Sequence, residues 1–322
     1  MSRNDILFQT VRPYQQNNYL FCEERKLPTV ASTGYAVLRT QYDVQFLYAL
    51  IHTKHFLSSV LSRCTGTSFP AVSASDIEDI IIWAPSVDEQ QEIGEIFRLL
   101  NVKIRKQKAL VEALKKYKRG VMQTIFHHSL DESWTTVKLG DIFKKVSRRN
   151  SKEEIKNVIT NSAEYGLIPQ RDFFDKHIAV DGNTSNYYVI EKGDFVYNPR
   201  KSNTAPYGPF NRYTLSKKGI ISPLYTCLVL QKDINPSYLA WYFKSDTWHR
   251  YIYDNGSQGV RHDRVSMTDD LLMGIPVSVP NASEQRQIAN MLDTVESRLS
   301  VAQIEYDMLI KLRNGFMQQL FI

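Results

Sequence analysis

Residues 85–126 and 280–321 of this 322-residue chain are two copies of one stretch, aligned without a gap at a constant offset of 195. Identical pairs include Pro85/Pro280, Glu89/Glu284, Gln90/Gln285, Ile93/Ile288, Leu114/Leu309, Lys116/Lys311, Gly120/Gly315, Met122/Met317, Gln123/Gln318 and Phe126/Phe321. Internal repetition restricts a chain to folds built from two like units. In the first copy Ile93, Phe97, Leu100, Ile104, Val111, Leu114, Val121 and Ile125 recur in steps of three and four, interrupted at Gln107 and Lys118. The second copy repeats the pattern with Ile288, Leu292, Val295, Leu299, Ala302, Tyr306, Leu309, Phe316 and Leu320, and Arg313 stands where Lys118 stood. That period predicts two long helices, each opening after a proline and a polar or acidic first turn. Some 40 residues make a rod of about 60 Å. Such a stripe is too long for one small domain to cover, so the two helices are expected to pack on each other as a coiled coil. The alternative is two separate surface helices, each covering its own lobe.

The repeat extends upstream more weakly. Asn4-Asp5-Ile6-Leu7-Phe8 parallels Gly193-Asp194-Phe195-Val196-Tyr197, and Tyr35–Leu38 parallels Tyr225–Leu228, each as a strand. Aromatic-rich helices open at Phe46 and Tyr238, and a turn at Thr65-Gly66-Thr67-Ser68 parallels Asn255-Gly256-Ser257-Gln258. Last strands are expected at Ile80–Trp83 and Ile275–Val279. The expected organisation is therefore lobe 1–84, helix 85–129, lobe 130–279 and helix 280–322. The lobes are unequal. The first has no counterpart to about residues 131–190, which carry the expected strands near Val137–Leu139, Val158-Ile159 and Tyr187–Ile190. An incomplete sheet leaves an unpaired edge, so either the chain begins inside a domain or a partner supplies the rest.

Composition agrees with folded lobes: 43% hydrophobic and 23% charged residues, with 14 Gly and 12 Pro. No run is long and apolar enough for a membrane span, no secretory signal opens the chain, and a cytoplasmic protein is expected. Cys22, Cys64 and Cys227 are too widely spaced for a zinc site and read as small core or surface thiols. A net charge of +6 is compatible with nucleic acid without requiring it.

The sequence holds no constellation that specifies an enzyme. Neither GxGxxG nor GxxxxGK[ST] is present. His52 and His55 lie close on one helix without a third ligand at metal spacing. Glu154-Ile155-Lys156, with Asp141 upstream, has the spacing of a metal-dependent nuclease, but such a triplet is common by accident and reads as a solvated helix face. Asn198-Pro199 begins like the loop of adenine aminomethyltransferases, and Arg200 replaces the second proline. Reading DNA requires Arg, Lys, Asn and Gln on loops, to reach base edges and phosphates. The second lobe offers Arg200, Lys201 and Asn203 after one strand, and Gln258, Arg261, His262 and Arg264 after a helix. The first lobe offers Arg12, Gln15, Asn17 and Asn18 at the former position, and Thr67 and Ser68 at the latter. Polar loops also clothe any globular surface. Lys103, Arg105, Lys106, Lys108, Lys115, Lys116, Lys118 and Arg119 read mainly as a solvated helix face.

Both helices open Pro-x-x-x-Glu-Gln-(Gln/Arg)-x-Ile and close near Gly-(Val/Phe)-Met-Gln-x-(Ile/Leu)-Phe. With lobes alternating between them, this resembles the specificity subunit of type I restriction-modification systems. The resemblance implies an α+β fold: two target recognition domains, the first incomplete here, alternating with two long helices that form an antiparallel coiled coil. The seam implied is Ile93, Phe97, Leu100, Ile104 and Leu114 against Ile288, Leu292, Val295, Leu299 and Leu309. It implies a non-catalytic subunit that reads a bipartite site on double-stranded DNA, with the helices setting the gap. Two methyltransferase subunits, which carry S-adenosylmethionine, would dock on those helices, and restriction and translocase subunits would complete the enzyme. No cofactor or metal is expected on this chain. The competing expectation is a silent, truncated cassette that acts only through its coiled coil.

Overall fold

The computed structural model describes residues 1–22, 27–127, 134–172, 184–256 and 263–321. The chain divides into two compact units, 1–113 with 299–322, and 114–298. Each unit holds a lobe and parts of both long helices.

In the first unit, β1 (Ile6–Gln9) is the middle strand, paired antiparallel with β2 (Tyr19–Leu20) and β3 (Tyr35–Leu38). Its period-2 alternation turns Ile6 and Phe8 inward. Three short helices follow: α1 (Val44–Leu50), α2 (Lys54–Leu61) and α3 (Ala74–Glu78). Side-chain oxygens of Asp43, Thr53 and Ser73 cap their first amides. Phe46, Phe56 and Val60 join Ile6, Phe8 and Leu20 in one core, which Ile93 and Phe97 of α4 (Val87–His127) complete.

The second unit follows the same plan with more strands. β4 (Thr135–Lys138) leads through the short helix α5 (Leu139–Ile142) into β5 (Phe143–Val146). β6 (Ile159–Ser162) pairs with β7 (Gly166–Pro169), and β8 (Tyr188–Ile190) precedes β9 (Phe195–Tyr197). β10 (Phe210–Arg212), β11 (Gly219–Ile221) and β12 (Thr226–Leu230) complete an antiparallel sheet of order β10-β9-β12-β5 and a β11-β8 pair. α6 (Pro236–Tyr242), α7 (His249–Asn255) and α8 (Asp269–Met273) lead to β13 (Pro276–Val279), which pairs with β4, and then to α9 (Ala282–Leu320). The β10-β9-β12 arrangement of this lobe repeats β2-β1-β3 of the first.

The long helices run antiparallel within each unit. In the first, Phe97 meets Phe321 with ring centroids 5.6 Å apart, whereas Gln107 further along α4 donates to the Ala302 carbonyl, earlier in α9, at 2.9 Å. In the second, Lys118 pairs with Glu296 at 2.8 Å, and Phe126 shares a core with Ile288 and Leu292. Ile93, Phe97, Ile104, Ile288, Leu292, Val295 and Leu309 of the expected seam are buried; Leu100, Leu114 and Leu299 are half-buried. Leu320, expected on the seam, is exposed because it lies on the helix's last turn.

The two residues that interrupt the first stripe have definite roles. Gln107 also bonds Glu305 at 2.9 Å, and Lys118 makes the ion pair just described. The helix signature is likewise explained by contact. Gln90 donates to the Pro85 carbonyl at 2.8 Å and accepts from the backbone N–H of Asp43, the cap of α1. Gln285 donates to the Pro280 carbonyl at 2.8 Å and accepts from Asn235 N–H, the cap of α6. Each glutamine therefore joins a long helix to the lobe that precedes it. The closing phenylalanine acts oppositely. Phe126 of α4 packs on Tyr238 and Tyr242, whereas Phe321 packs on Phe46.

One expected strand is absent. Ile80–Trp83 forms no ladder with any described residue, although its counterpart β13 does. The first unit presents no described strand where β4 lies in the second.

Candidate nucleic-acid interface

The second lobe brings residues 199–201 beside residues 263–265. Arg200 and Arg264 form an isolated antiparallel bridge, flanked by Lys201 N–H on the Asp263 carbonyl (2.8 Å) and Val265 N–H on the Pro199 carbonyl (2.9 Å). Arg200 and Asn203 are exposed, and Lys201 and Arg264 are half-buried. Asp263 stands 4.0 Å from the guanidinium groups of both arginines. That separation orients the cations without using up their donors, and in water it contributes only about 1 kcal/mol. Gln258, Arg261 and His262 lie outside the described residues.

A buried amide network holds the first of these loops. Asn161 donates to the Val196 carbonyl at 2.9 Å, Asn211 donates to Asn161 at 2.8 Å, and the Asn198 side chain donates to the Asn161 carbonyl at 3.4 Å. Asn198 is therefore a strut, and its side-chain oxygen receives Arg200 N–H at 3.0 Å. Gly208 closes the loop at φ +85°, where a Cβ would lie 1.9 Å from the Asn198 carbonyl oxygen. Only glycine fits there.

The first lobe repeats the device with different residues. Val11 and Thr65 both bridge Ala71, and Arg12 N–H reaches the Pro70 carbonyl at 2.7 Å. The Arg12 guanidinium lies 4.3 Å over the Phe69 ring, a cation–π contact that holds it in place. Thr67 and Ser68 are exposed on the adjoining turn. Gln15 and Asn17 are exposed as well, and they share Gln9 as a hydrogen-bond partner. Asn18 points inward instead: its side-chain oxygen receives Gln9 N–H at 2.8 Å, and its side-chain nitrogen lies 3.4 Å from His52 Nε2.

His52 Nδ1 lies 2.7 Å from the Tyr48 carbonyl, so the neutral ring donates there and offers Nε2 to Asn18. Burial pushes the imidazole below its ordinary pKa, the Tyr48 carbonyl opposes this, and the Arg313 charge adds to the lowering. His52 borders a 1090 Å³ cavity in the first unit, walled also by Ala49, Arg98, Asn101, Arg105 and Arg313. At the counterpart of Ala49 the second unit has Trp241, whose indole N–H bonds Asp293 at 2.8 Å. Among the described residues no three His, Cys, Asp or Glu side chains come together as a metal site. Asp141 caps α5 through Lys138 N–H at 3.0 Å. No helix among them is long and apolar enough to cross a membrane.

Sequence reading located the polar loops but missed three features. Asp263 between the two arginines, Phe69 beneath Arg12, and the Asn161–Asn198–Asn211 network depend on contacts distant in sequence. The one local cue was Gly208 after a strand and a polar run.

Two lobes on one plan, each with paired polar loops and alternating with antiparallel helices, define a duplicated recognition scaffold. Residues 131–305 match the type I restriction modification DNA specificity domain, and the chain belongs to that family. The chain is similar to the type I restriction enzyme MjaVIII specificity subunit of Methanocaldococcus jannaschii, at 21% identity over 86% of this chain and 69% of the relative. Among solved structures, the S subunit of the type I restriction-modification system of M. genitalium superposes with a TM-score of 0.66 at 15% identity. That match covers 99% of this chain and 83% of the other. A chain from a study of complex assembly and conformational transition in a type I system matches at 0.50 and 19% identity, over 100% of this chain and 82% of that one.

Proposed function

We propose that this chain is the non-catalytic subunit that gives a type I restriction-modification enzyme its DNA sequence specificity, each lobe addressing one part of a bipartite site. The observation that supports the reading is the backbone bridge in each lobe, Arg200/Arg264 in one and Val11/Ala71 in the other, which sets Arg200 and Lys201 beside Arg264, and Arg12 beside the Thr67-Ser68 turn. Cations there neutralise phosphates, and the amide and guanidinium groups reach base edges. Arg200, with a side chain 68% exposed, is the strongest single candidate in the second lobe. Arg12 and the Thr67-Ser68 turn are the candidates in the first.

The long helices offer a docking surface for two methyltransferase subunits. In this reading S-adenosylmethionine and the base chemistry belong to those subunits, restriction and translocase subunits join them, and the assembly works in the cytoplasm. Fluorescence anisotropy on duplex DNA across a salt series tests DNA recognition. Arg200→Ala should weaken specific binding by roughly tenfold and lower the salt slope by about one. Unchanged affinity in Arg200→Ala and Lys201→Ala, with the fold intact, would defeat the assignment of this loop. Co-purification with the methyltransferase tests the docking surface.

A further inference from the structure

The 1090 Å³ cavity of the first unit lies among α1, β2, α4 and α9, and none of the described residues that wall it is Asp or Glu. Its walls carry instead the guanidinium groups of Arg98, Arg105 and Arg313, the Asn101 amide and the His52 ring. Arg98 is held by Glu95 of the same helix at 2.6 Å. Arg313 is half-buried, and its Nε–H is buried without a hydrogen-bond partner among the described residues. A cationic group withdrawn from water is costly until an acceptor or a counter-charge meets it.

The second unit fills the corresponding place from within. Trp241 stands where Ala49 stands. The register that sets Leu20 opposite Ile6 sets Arg212 opposite Phe195, so Arg212 stands where Leu20 stands. The Trp241 indole N–H bonds Asp293 at 2.8 Å, Lys244 lies 4.3 Å over the Trp241 ring, Lys118 pairs with Glu296 at 2.8 Å, and the charge of Asp293 acts on Arg212. The offset of 195 puts Arg98 at the position of Asp293, Asn101 at that of Glu296 and Arg313 at that of Lys118. Both acids are therefore gone from the first unit, and two large side chains give way to smaller ones. Every one of these groups lies on an element that both units share. The cavity thus follows from the substitutions at Ala49, Leu20, Arg98 and Asn101, not from the strands described only in the second lobe.

We propose that this cavity binds a small anion carrying a flat ring with acceptors on its edge, the chemistry of a purine nucleotide. The site goes beyond DNA recognition and uses none of the loop residues assigned to it. The ring takes the place of the Trp241 indole, beside Ala49, with the Tyr48–His52 pair, T-shaped at 4.7 Å, as an aromatic wall. Where the indole donates to Asp293, the first unit presents the Arg98 guanidinium, which can only donate. The ring edge must therefore accept, as O6 and N7 of guanine do. Arg313 and Arg105 take the phosphate, whose oxygens match a guanidinium fork.

Isothermal titration calorimetry of the full chain with GMP and with inorganic phosphate tests this. The expected result is saturable GMP binding with a dissociation constant below about 1 mM, at least about tenfold tighter than that of phosphate. Arg313→Gln should weaken GMP by about tenfold or more, and Arg98→Gln should weaken GMP while leaving phosphate unchanged. Ala49→Trp, which restores the filler of the second unit, should abolish GMP binding; circular dichroism checks that each variant is folded. The inference is overturned if GMP does not saturate up to millimolar concentration, if phosphate binds as tightly as GMP, or if folded Arg313→Gln binds GMP like the parent chain. DNA binding through Arg200, measured on the same samples, reports separately on the proposed function.

Discussion

Gln90 and Gln285 show what a single side chain contributes when a buried amide has two backbone partners. Each donates to a proline carbonyl and accepts from the cap residue of a neighbouring helix. Gln285→Ala leaves a buried N–H and a carbonyl unpaired, and should cost about 2–3 kcal/mol in the unfolding free energy of the second unit. Gln90→Ala should act alike on the first, and chemical denaturation reads both. Gly208→Ala combines a positive φ with a 1.9 Å approach to backbone. It should cost more than about 2 kcal/mol and lower the melting temperature. His52 makes the first unit sensitive to pH. Its folded-state pKa is depressed by burial, so its contribution is complete above the ordinary value of about 6.5 and is lost as pH falls through the lowered one. Denaturation midpoints of the first unit should drop between neutral pH and pH 5, and His52→Gln should flatten that dependence.

At the scale of elements, the repeated phenylalanines are the sharpest test. Phe126 is 1% exposed and packs against α6, whereas Phe321 packs against α1 in the first unit. Phe126→Ala should cost about 3–5 kcal/mol in the second unit, and Phe321→Ala about 2 kcal/mol in the first. Amide exchange resolved by segment would show each loss confined to one unit; a loss spread equally over both would contradict the packing. Both residues were visible in the sequence as an identical pair, and so were the two long helices and their apolar stripes, whereas their antiparallel sense came only from the family resemblance. Period and repetition are local properties, which is why they could be read directly. Ile80–Trp83 was misread because its apolar run satisfies strand propensity, while a strand also requires a partner. The Asp263 and Phe69 contacts were hidden for a related reason: each involves loops joined only by a tertiary bridge.

For the whole molecule, if the proposed loops contact phosphate, DNA affinity should fall steeply and linearly with the logarithm of salt concentration, because their cations would displace counterions. A flat dependence between about 50 and 200 mM salt would rule out phosphate contact as the main source of affinity. Removing residues 315–322 should destabilise the first unit and spare the second, since Phe316, Met317 and Phe321 pack only on the first core. Limited proteolysis would distinguish the two units.

The closing contact of Phe321 on Phe46 and Phe97 also bears on how the protein comes into being. A ribosome delivers the amino-terminal lobe first, yet the last turns of α9 that complete its core emerge some 200 residues later, after the entire second lobe. The first lobe must therefore wait, with its apolar surface partly uncovered, until the second lobe has been made. Order of manufacture and order of completion are reversed in this chain, and the second lobe, which receives Phe126 from a helix already made, can be finished first.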